Sequence, residues 1–207
     1  MNQKERQERS KKEIYQAALI EFGTYGYNKV TVDSICSTHH ISKGMMYHYY
    51  VNKDDLFLLC VKNTFSDLKN YIEQQNFVLT KDVFENIKNY FMIREYYFQD
   101  HPLQKRVFES AVLRTPKHLS EQIQILRTPL KKMNRDFLSK ITAQMKLRSN
   151  LDAEKVMRYL EGIEYHFWTV AEQYEPKIKE YDIHTMLKTA EELLDMILFG
   201  VLREKDS

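Results

Sequence analysis

Glycine and proline are scarce in this chain, at 5 and 4 of 207 residues. Strands need turns, and turns draw on those two residues, so their scarcity points to long helices. Cysteine is scarcer still. Cys36 and Cys60 build no disulfide framework, and both fall in segments that read as helix, where a reduced, buried thiol is expected. No apolar run reaches the roughly 18 residues of a membrane span. The first dozen residues are polar and charged and lack the apolar centre of a secretion signal, so the expectation is a cytoplasmic protein without membrane contact. No glycine-rich phosphate loop, metal-ligand spacing or nucleophile–base motif is found, so neither an enzyme nor a cofactor is expected. Acidic residues are missing from one stretch. Between Ser34 and Lys53 there is no Asp or Glu, while His39, His40, Lys43, His48 and Lys53 all lie there. Such a stretch approaches phosphates without repulsion, which the net charge of +2 does not reveal by itself.

What is present is apolar periodicity. Hydrophobic residues make up 43% of the chain, enough for a folded core. Ile14, Ala17, Ala18 and Phe22 recur at helical spacing over residues 4–24, and Gly23 and Gly26 then signal a stop. Thr31 is a cap for a short second helix containing Val32 and Ile35, and His39-His40-Ile41 breaks it. Ser42 caps a third helix, Lys43 to His48. Asn52 caps a fourth that starts at Lys53 and continues past residue 70. Further helices are expected from Thr80 or Asp82 to about Asp100, and from Pro102. Thr115-Pro116 and Thr128-Pro129 each read as a cap followed by proline at the first helical position. Asp152 and Asp182 open the last two, to about Tyr174 and Arg203. No segment alternates with the period of a strand. The reading is all-α, with about nine helices.

Two short helices joined by a three- or four-residue turn, as in residues 31–50, form a helix-turn-helix unit whose second helix enters the DNA major groove. Ile35, Ile41 and Met46 are expected to join the pair, with Val30 and Phe22 beneath. Here the chain resembles the TetR family of bacterial transcriptional regulators. The resemblance runs through Ile14, Ala17-Ala18, Phe22, Gly26-Tyr27, Val30-Thr31-Val32, Ile35, Ile41-Ser42-Lys43-Gly44, Tyr47, Tyr49, Lys53 and Leu56, and covers about residues 10–60. It implies an N-terminal three-helix DNA-binding domain over residues 1–55 and a helical ligand-binding and dimerisation domain over 56–207.

The DNA-binding set follows residue by residue. Thr31 and Ser42 lie at helix starts, where amides and dipole favour a phosphate. Gly44 lets the backbone approach closely. Lys43 reaches a phosphate or a guanine edge, and Met45 a thymine methyl. Tyr47 and Tyr49 offer hydroxyls to phosphates, His48 reads a base or a phosphate, and Lys53 starts the fourth helix beside the backbone. Met46 and Tyr50 are expected in the core. The family's turn carries a small residue and then glycine; His39 and His40 stand there instead, so His40 is expected to meet a demand for positive φ. Cys36, His39, His40 and His48 lack a metal-binding spacing.

Past residue 80 the chain is rich in aromatics, which line ligand cavities and also simply fill cores. Phe91, Arg94, Phe98, Phe108, Phe137, Glu164, Phe167 and Trp168 are the expected ligand-binding residues. Arg94 and Glu164 fall on otherwise apolar helix faces, where a charge needs a partner: each other, a ligand, or a second subunit. The last helix carries an apolar stripe. Leu187, Ala190, Leu194, Ile197, Leu198 and Val201 are expected at a homodimer interface, since the resemblance implies a four-helix bundle between two copies; the sequence equally allows the stripe to be internal. The resulting expectation is a regulator, a repressor, that binds double-stranded operator DNA as a homodimer and is released by a small hydrophobic effector. The rival reading is an architectural, nucleoid-associated DNA-binding factor with no ligand.

Overall fold

Helix α1, Gln3–Tyr25, begins where its sequence supplies a capping box. The Asn2 side chain accepts from the Glu5 amide at 2.8 Å, and the Glu5 carboxylate accepts from the Asn2 amide at 2.9 Å. The helix stops at Gly26, whose φ of 75° suits glycine and whose amide returns to the Phe22 carbonyl at 3.0 Å. These elements come from a computed structural model that describes residues 2–75, 77–162 and 183–201; of residues 186 and 198–201 it describes the backbone only.

Among the described residues the regular structure is helical. Helix α2 spans Val32–Thr38, α3 Lys43–Tyr49, α4 Lys53–Gln74, α5 Val83–Asp100, α6 Pro102–Val112, α7 Ser120–Thr142 and α9 Ile183–Val201. Helix α8 covers 153–162 within the described range. Single 3₁₀ turns lie at Tyr27–Lys29 and Lys117–Leu119. Predicted caps recur as hydrogen bonds: Asn52 accepts from the Asp55 amide at 3.0 Å, Asp82 from Glu85 at 3.0 Å and Asp152 from Lys155 at 2.7 Å.

One expectation fails. The two Thr-Pro pairs do not both start helices. After Pro116 comes a 3₁₀ turn, and α7 then runs unbroken from Ser120 through Pro129. In both pairs the threonine hydroxyl reaches backwards: Thr115 donates to the Ala111 carbonyl at 2.5 Å and Thr128 to the Gln124 carbonyl at 3.2 Å. Each closes the turn before it rather than opening the next. A proline inside a helix costs about 3 kcal/mol. Burial of Ile123 before it and of Leu130, Leu138 and Ile141 after it offsets that.

The chain forms two compact units, one of residues 1–70 with 98–128 and the other of 71–97 with 129–207. The division thus cuts through α4, α5 and α7. In unit 1, Ile14, Phe22, Ile35, Met46, Leu56 and Phe57 are fully buried. Phe22 meets Phe57 edge-on at 5.2 Å. Helix α1 lies against α6 so closely that a Cβ on Gly23 would stand 2.9 Å from the Leu103 Cα, which makes glycine necessary there. In unit 2, Ile87, Leu138, Ile141, Val156, Leu160 and Leu194 form one core cluster. Ion pairs Lys88–Glu191 and His184–Glu95, both 2.7 Å, join α5 to α9 at its surface.

Cys36 and Cys60 are free and buried. Burial pushes the Cys60 thiol far above its ordinary range. Among the described residues, no helix is long and apolar enough to cross a membrane, and no three His, Cys, Asp or Glu side chains converge as metal ligands.

Candidate nucleic-acid interface

The helix-turn-helix of unit 1 is held by short-range hydrogen bonds. Thr31 Oγ1 accepts from the Ser34 amide at 3.0 Å, and Ser34 Oγ accepts from the Thr31 amide at 3.1 Å. This reciprocal cap starts α2. The turn closes when the Ile41 amide donates to the Cys36 carbonyl at 3.0 Å. His40 carries it with a φ of 55°, the positive value expected of the position usually held by glycine. Histidine tolerates that conformation better than most residues do. Ser42 Oγ then accepts from the Met45 amide at 3.1 Å and starts α3. Ile35, Ile41 and Met46 are buried, with Phe22 and Val30 also in the core.

Burial of Met46 turns the opposite face of α3 outward. Ser42, Lys43, Gly44, Tyr47 and His48 are exposed, as is Thr31; Met45, Tyr49 and Tyr50 are half-buried. The Tyr49 ring packs edge-on to His48 at 4.7 Å. Gly44 is informative. A Cβ built there meets nothing within 4 Å, and its backbone is ordinary helix. Glycine in a helix is less favourable than alanine by up to about 1 kcal/mol. Nothing in the chain's own packing calls for it, in contrast with Gly23.

Three contacts here had no counterpart in the sequence reading. Lys43 pairs with Asp33 of α2 at 2.8 Å, and the hydrogen bond its ammonium donates to that carboxylate holds it above the ordinary range. Asp33 lies one residue outside the acid-free stretch. Lys53 donates to the carbonyls of Tyr27 at 3.2 Å and Val30 at 3.3 Å, with its ammonium 4.2 Å from the Tyr27 ring centre. It therefore ties the loop before α2 to the start of α4. Tyr27 donates to Asp54, and His118 Nε2 stands 3.1 Å from both the Tyr27 hydroxyl and Asp54. Burial foremost, then Asp54, raises the Tyr27 phenol well above its usual range. Only Asp33, on the neighbouring helix of the motif, was within reach of sequence reasoning; His118 lies 64 residues from Asp54.

The residues expected to bind a ligand fall into three groups. Phe91, Arg94 and Phe137 belong to unit 2. Arg94 is 4% exposed, donates to the Tyr90 carbonyl at 2.7 Å and to Asn134 Oδ1 at 2.6 Å, and lies over the Tyr90 and Phe91 rings. Tyr90 stacks on Phe137 at 3.7 Å and donates to the same Asn134 oxygen. Phe98 and Phe108 belong to unit 1, where Phe108 packs against Phe98 at 5.0 Å and against Phe65 at 5.7 Å. Glu164, Phe167 and Trp168 lie outside the described residues. A shallow groove of about 300 Å³ in unit 1 is lined by α4 and α7 residues, among them Leu58, Leu59, Ile125 and Leu126. None of the expected ligand residues lines it.

Leu187 and Leu194, expected at a dimer interface, are each 5% exposed within the single chain. The stripe at these positions is internal packing, because α9 supplies Leu194 to the core of unit 2. Ala190 and Ile197 are half-buried. The side chains of Leu198 and Val201 lie outside the described residues.

Residues 14–60 match the family described as bacterial regulatory proteins, tetR family. The matched span contains the whole helix-turn-helix. Over that span the chain is similar to the TetR family. No curated protein sequence matches it. Among solved structures, it is similar to the fatty acid degradation regulator FadR from Bacillus halodurans, at 20% identity and a TM-score of 0.61, over 88% of this chain and 93% of that one. A putative TetR-family regulator from Syntrophomonas wolfei is 13% identical with a TM-score of 0.59, over 96% and 99% of the two chains. One from Chloroflexus aurantiacus is 18% identical with a TM-score of 0.58, over 95% of each. At these identities the likeness is one of fold, and it extends over nearly the full length of the chain.

Proposed function

We propose that this protein is a ligand-responsive repressor of the TetR type that binds double-stranded operator DNA as a homodimer and leaves it when a small hydrophobic effector binds unit 2. No catalytic step belongs to this reading. Its DNA-binding part rests above all on Gly44: a helical glycine, exposed beside Lys43 and Tyr47, whose missing side chain nothing inside the protein explains. A surface that must lie close to another backbone explains it. The effector part is supported by the buried Arg94 amid Tyr90, Phe91 and Phe137, since apolar walls with a few convergent polar groups are what ligand sites use. A dimer built through α9 has to use faces other than that of Leu187 and Leu194, such as the one carrying Met196, which is 62% exposed.

The test is Gly44→Ala. Stability should rise by about 0.5 kcal/mol in chemical denaturation, from helix propensity alone. Affinity for operator DNA, selected from random duplexes, should fall at least tenfold. Lys43→Ala and Tyr47→Phe should weaken binding without unfolding. Unchanged binding in all three variants would remove α3 from the interface. For the effector, hydrophobic compounds that raise the melting temperature should lower operator affinity by about 5–150-fold, corresponding to a coupling of roughly 1–3 kcal/mol. If none does so, the ligand-free architectural role takes its place.

A further inference from the structure

The first half of α1 has no part in the core. Residues 2–9 and 11–13 are all exposed. Yet its charges are sorted. At about 100° per residue, the side of the helix within about 80° of the buried Ile14 carries Gln3, Lys4, Arg6, Gln7, Ser10 and Lys11. The acids Glu5, Glu8 and Glu13 all point elsewhere, as does Lys12. Two of these acids are engaged locally: Glu5 closes the capping box with Asn2, and Glu13 pairs with Arg9 at 2.9 Å. Among the described residues, Lys4, Arg6 and Lys11 pair with no carboxylate. The acid-free side therefore presents three cations and three neutral polar groups.

A second observation places this side. The Lys11 ammonium stands 5.5 Å from the centre of the Tyr49 ring, at the last residue of α3. The basic face of α1 thus reaches the end of the helix that carries the exposed Lys43, Gly44 and Tyr47. We infer that the N-terminal half of α1 is a second DNA-binding element, in which Lys4, Arg6 and Lys11 hold duplex phosphates flanking the groove that α3 enters. This rests on the DNA-binding role of α3 and extends it. The side-chain charges supply the attraction; the Glu5 amide at the helix start is already bonded to Asn2. Lys4 to Lys11 spans about 10 Å of helix, about the length of α3 itself, so the surface that tracks the backbone is roughly doubled. Such contacts carry no sequence preference. They fix register and add affinity through release of counterions.

The experiment measures binding of the full chain to a fluorescein-labelled, mixed-sequence duplex of about 30 base pairs by anisotropy, between about 50 and 200 mM salt. Lys4→Gln, Arg6→Gln and Lys11→Gln are combined in one variant. Glutamine keeps the helix propensity, and circular dichroism checks that helicity is unchanged. Each phosphate contact contributes about 0.9 to the slope of log K against log salt. The triple variant should lose about 2–3 units of slope per protomer and on the order of 100-fold in affinity at 0.1 M salt. Lys12→Gln, one helix face away, should shift the slope by less than about half a unit. A triple variant with the wild-type slope overturns the inference. So does a Lys12→Gln loss as large as that of a single residue of the triple, because the charges would then act as a diffuse field rather than a face. If Lys43→Ala weakens binding while the triple variant does not, α1 alone is dismissed. If the wild-type protein binds no duplex even at 50 mM salt, the DNA-binding reading fails as a whole.

Discussion

The helix-turn-helix of unit 1 and the helical core of unit 2 organise their polar groups on different length scales. In the first, Thr31 and Ser34, Ser42 and Met45, and Asn52 and Asp55 are partners three residues apart. In the second, Arg94 meets Asn134 across 40 residues, Tyr90 meets the same side chain across 44, and Glu95 meets His184 across 89. A cap is complete once one turn of helix forms, so its sequence signature is short and general. A buried guanidinium is satisfied only after two distant helices have packed, and no local spacing announces its partner. The contrast predicts that the two regions respond differently to substitution.

The largest effect is expected in unit 2. Leu194→Glu places a carboxylate inside the cluster of Ile87, Leu138 and Val156, and it should lower unfolding free energy by about 4 kcal/mol or more. Urea denaturation followed by far-ultraviolet circular dichroism reads this. A variant that keeps its midpoint but no longer self-associates would return Leu194 to an interface and erase the contrast. Next comes Asn134→Ala. It strips an acceptor from both Arg94 and Tyr90, and about 2 kcal/mol should be lost. A loss below about 0.5 kcal/mol would show that the long-range network matters no more than an exposed contact.

In the helix-turn-helix the expected effects are smaller because each contact is local. Thr31→Ala removes the reciprocal cap with Ser34, for about 1 kcal/mol. The same substitution should weaken DNA binding, since α2 and its turn position α3. His40→Gly is expected to do the opposite to stability. With φ at 55°, glycine relieves a left-handed conformation while adding backbone entropy to the unfolded chain, for a net gain of about 0.5 kcal/mol. A lowered melting temperature would mean that the His40 side chain makes a contribution its exposure does not suggest.

Within unit 1 the same distinction separates what could be read from what could not. The recognition face of α3 was legible because Met46 alternates with Lys43, Gly44 and Tyr47 in a seven-residue helix, and burial of one face exposes the other. The positive φ of His40 was legible because the turn's geometry demands it of whichever residue stands there. Lys53 is expected beside the DNA backbone from its place at the start of α4, and its ammonium also donates to the Tyr27 and Val30 carbonyls. Charge and position suggested the first role, and only the folded loop supplies the second. The Tyr27–Asp54–His118 cluster lay beyond reach for the same reason.

Apolar periodicity also has a limit, and α9 marks it. The stripe through Leu187 and Leu194 identifies a helix with one face to bury, but a protomer's own core and a second subunit bury it equally well in physical terms. Tertiary packing chose the core for these two residues. Pro129 shows the limit from the other side. Thr-Pro is a helix start by local preference, yet α7 passes through it because apolar residues on both sides are buried. By itself the sequence determined the all-helical character, the caps at Thr31, Ser42, Asn52, Asp82 and Asp152, the turn and the outward face of α3, since each depends on interactions within a few residues. Where Arg94 finds its acceptor, which way the α9 stripe faces, and what Lys53 holds were decided by tertiary structure, because those free energies exist only when distant segments meet.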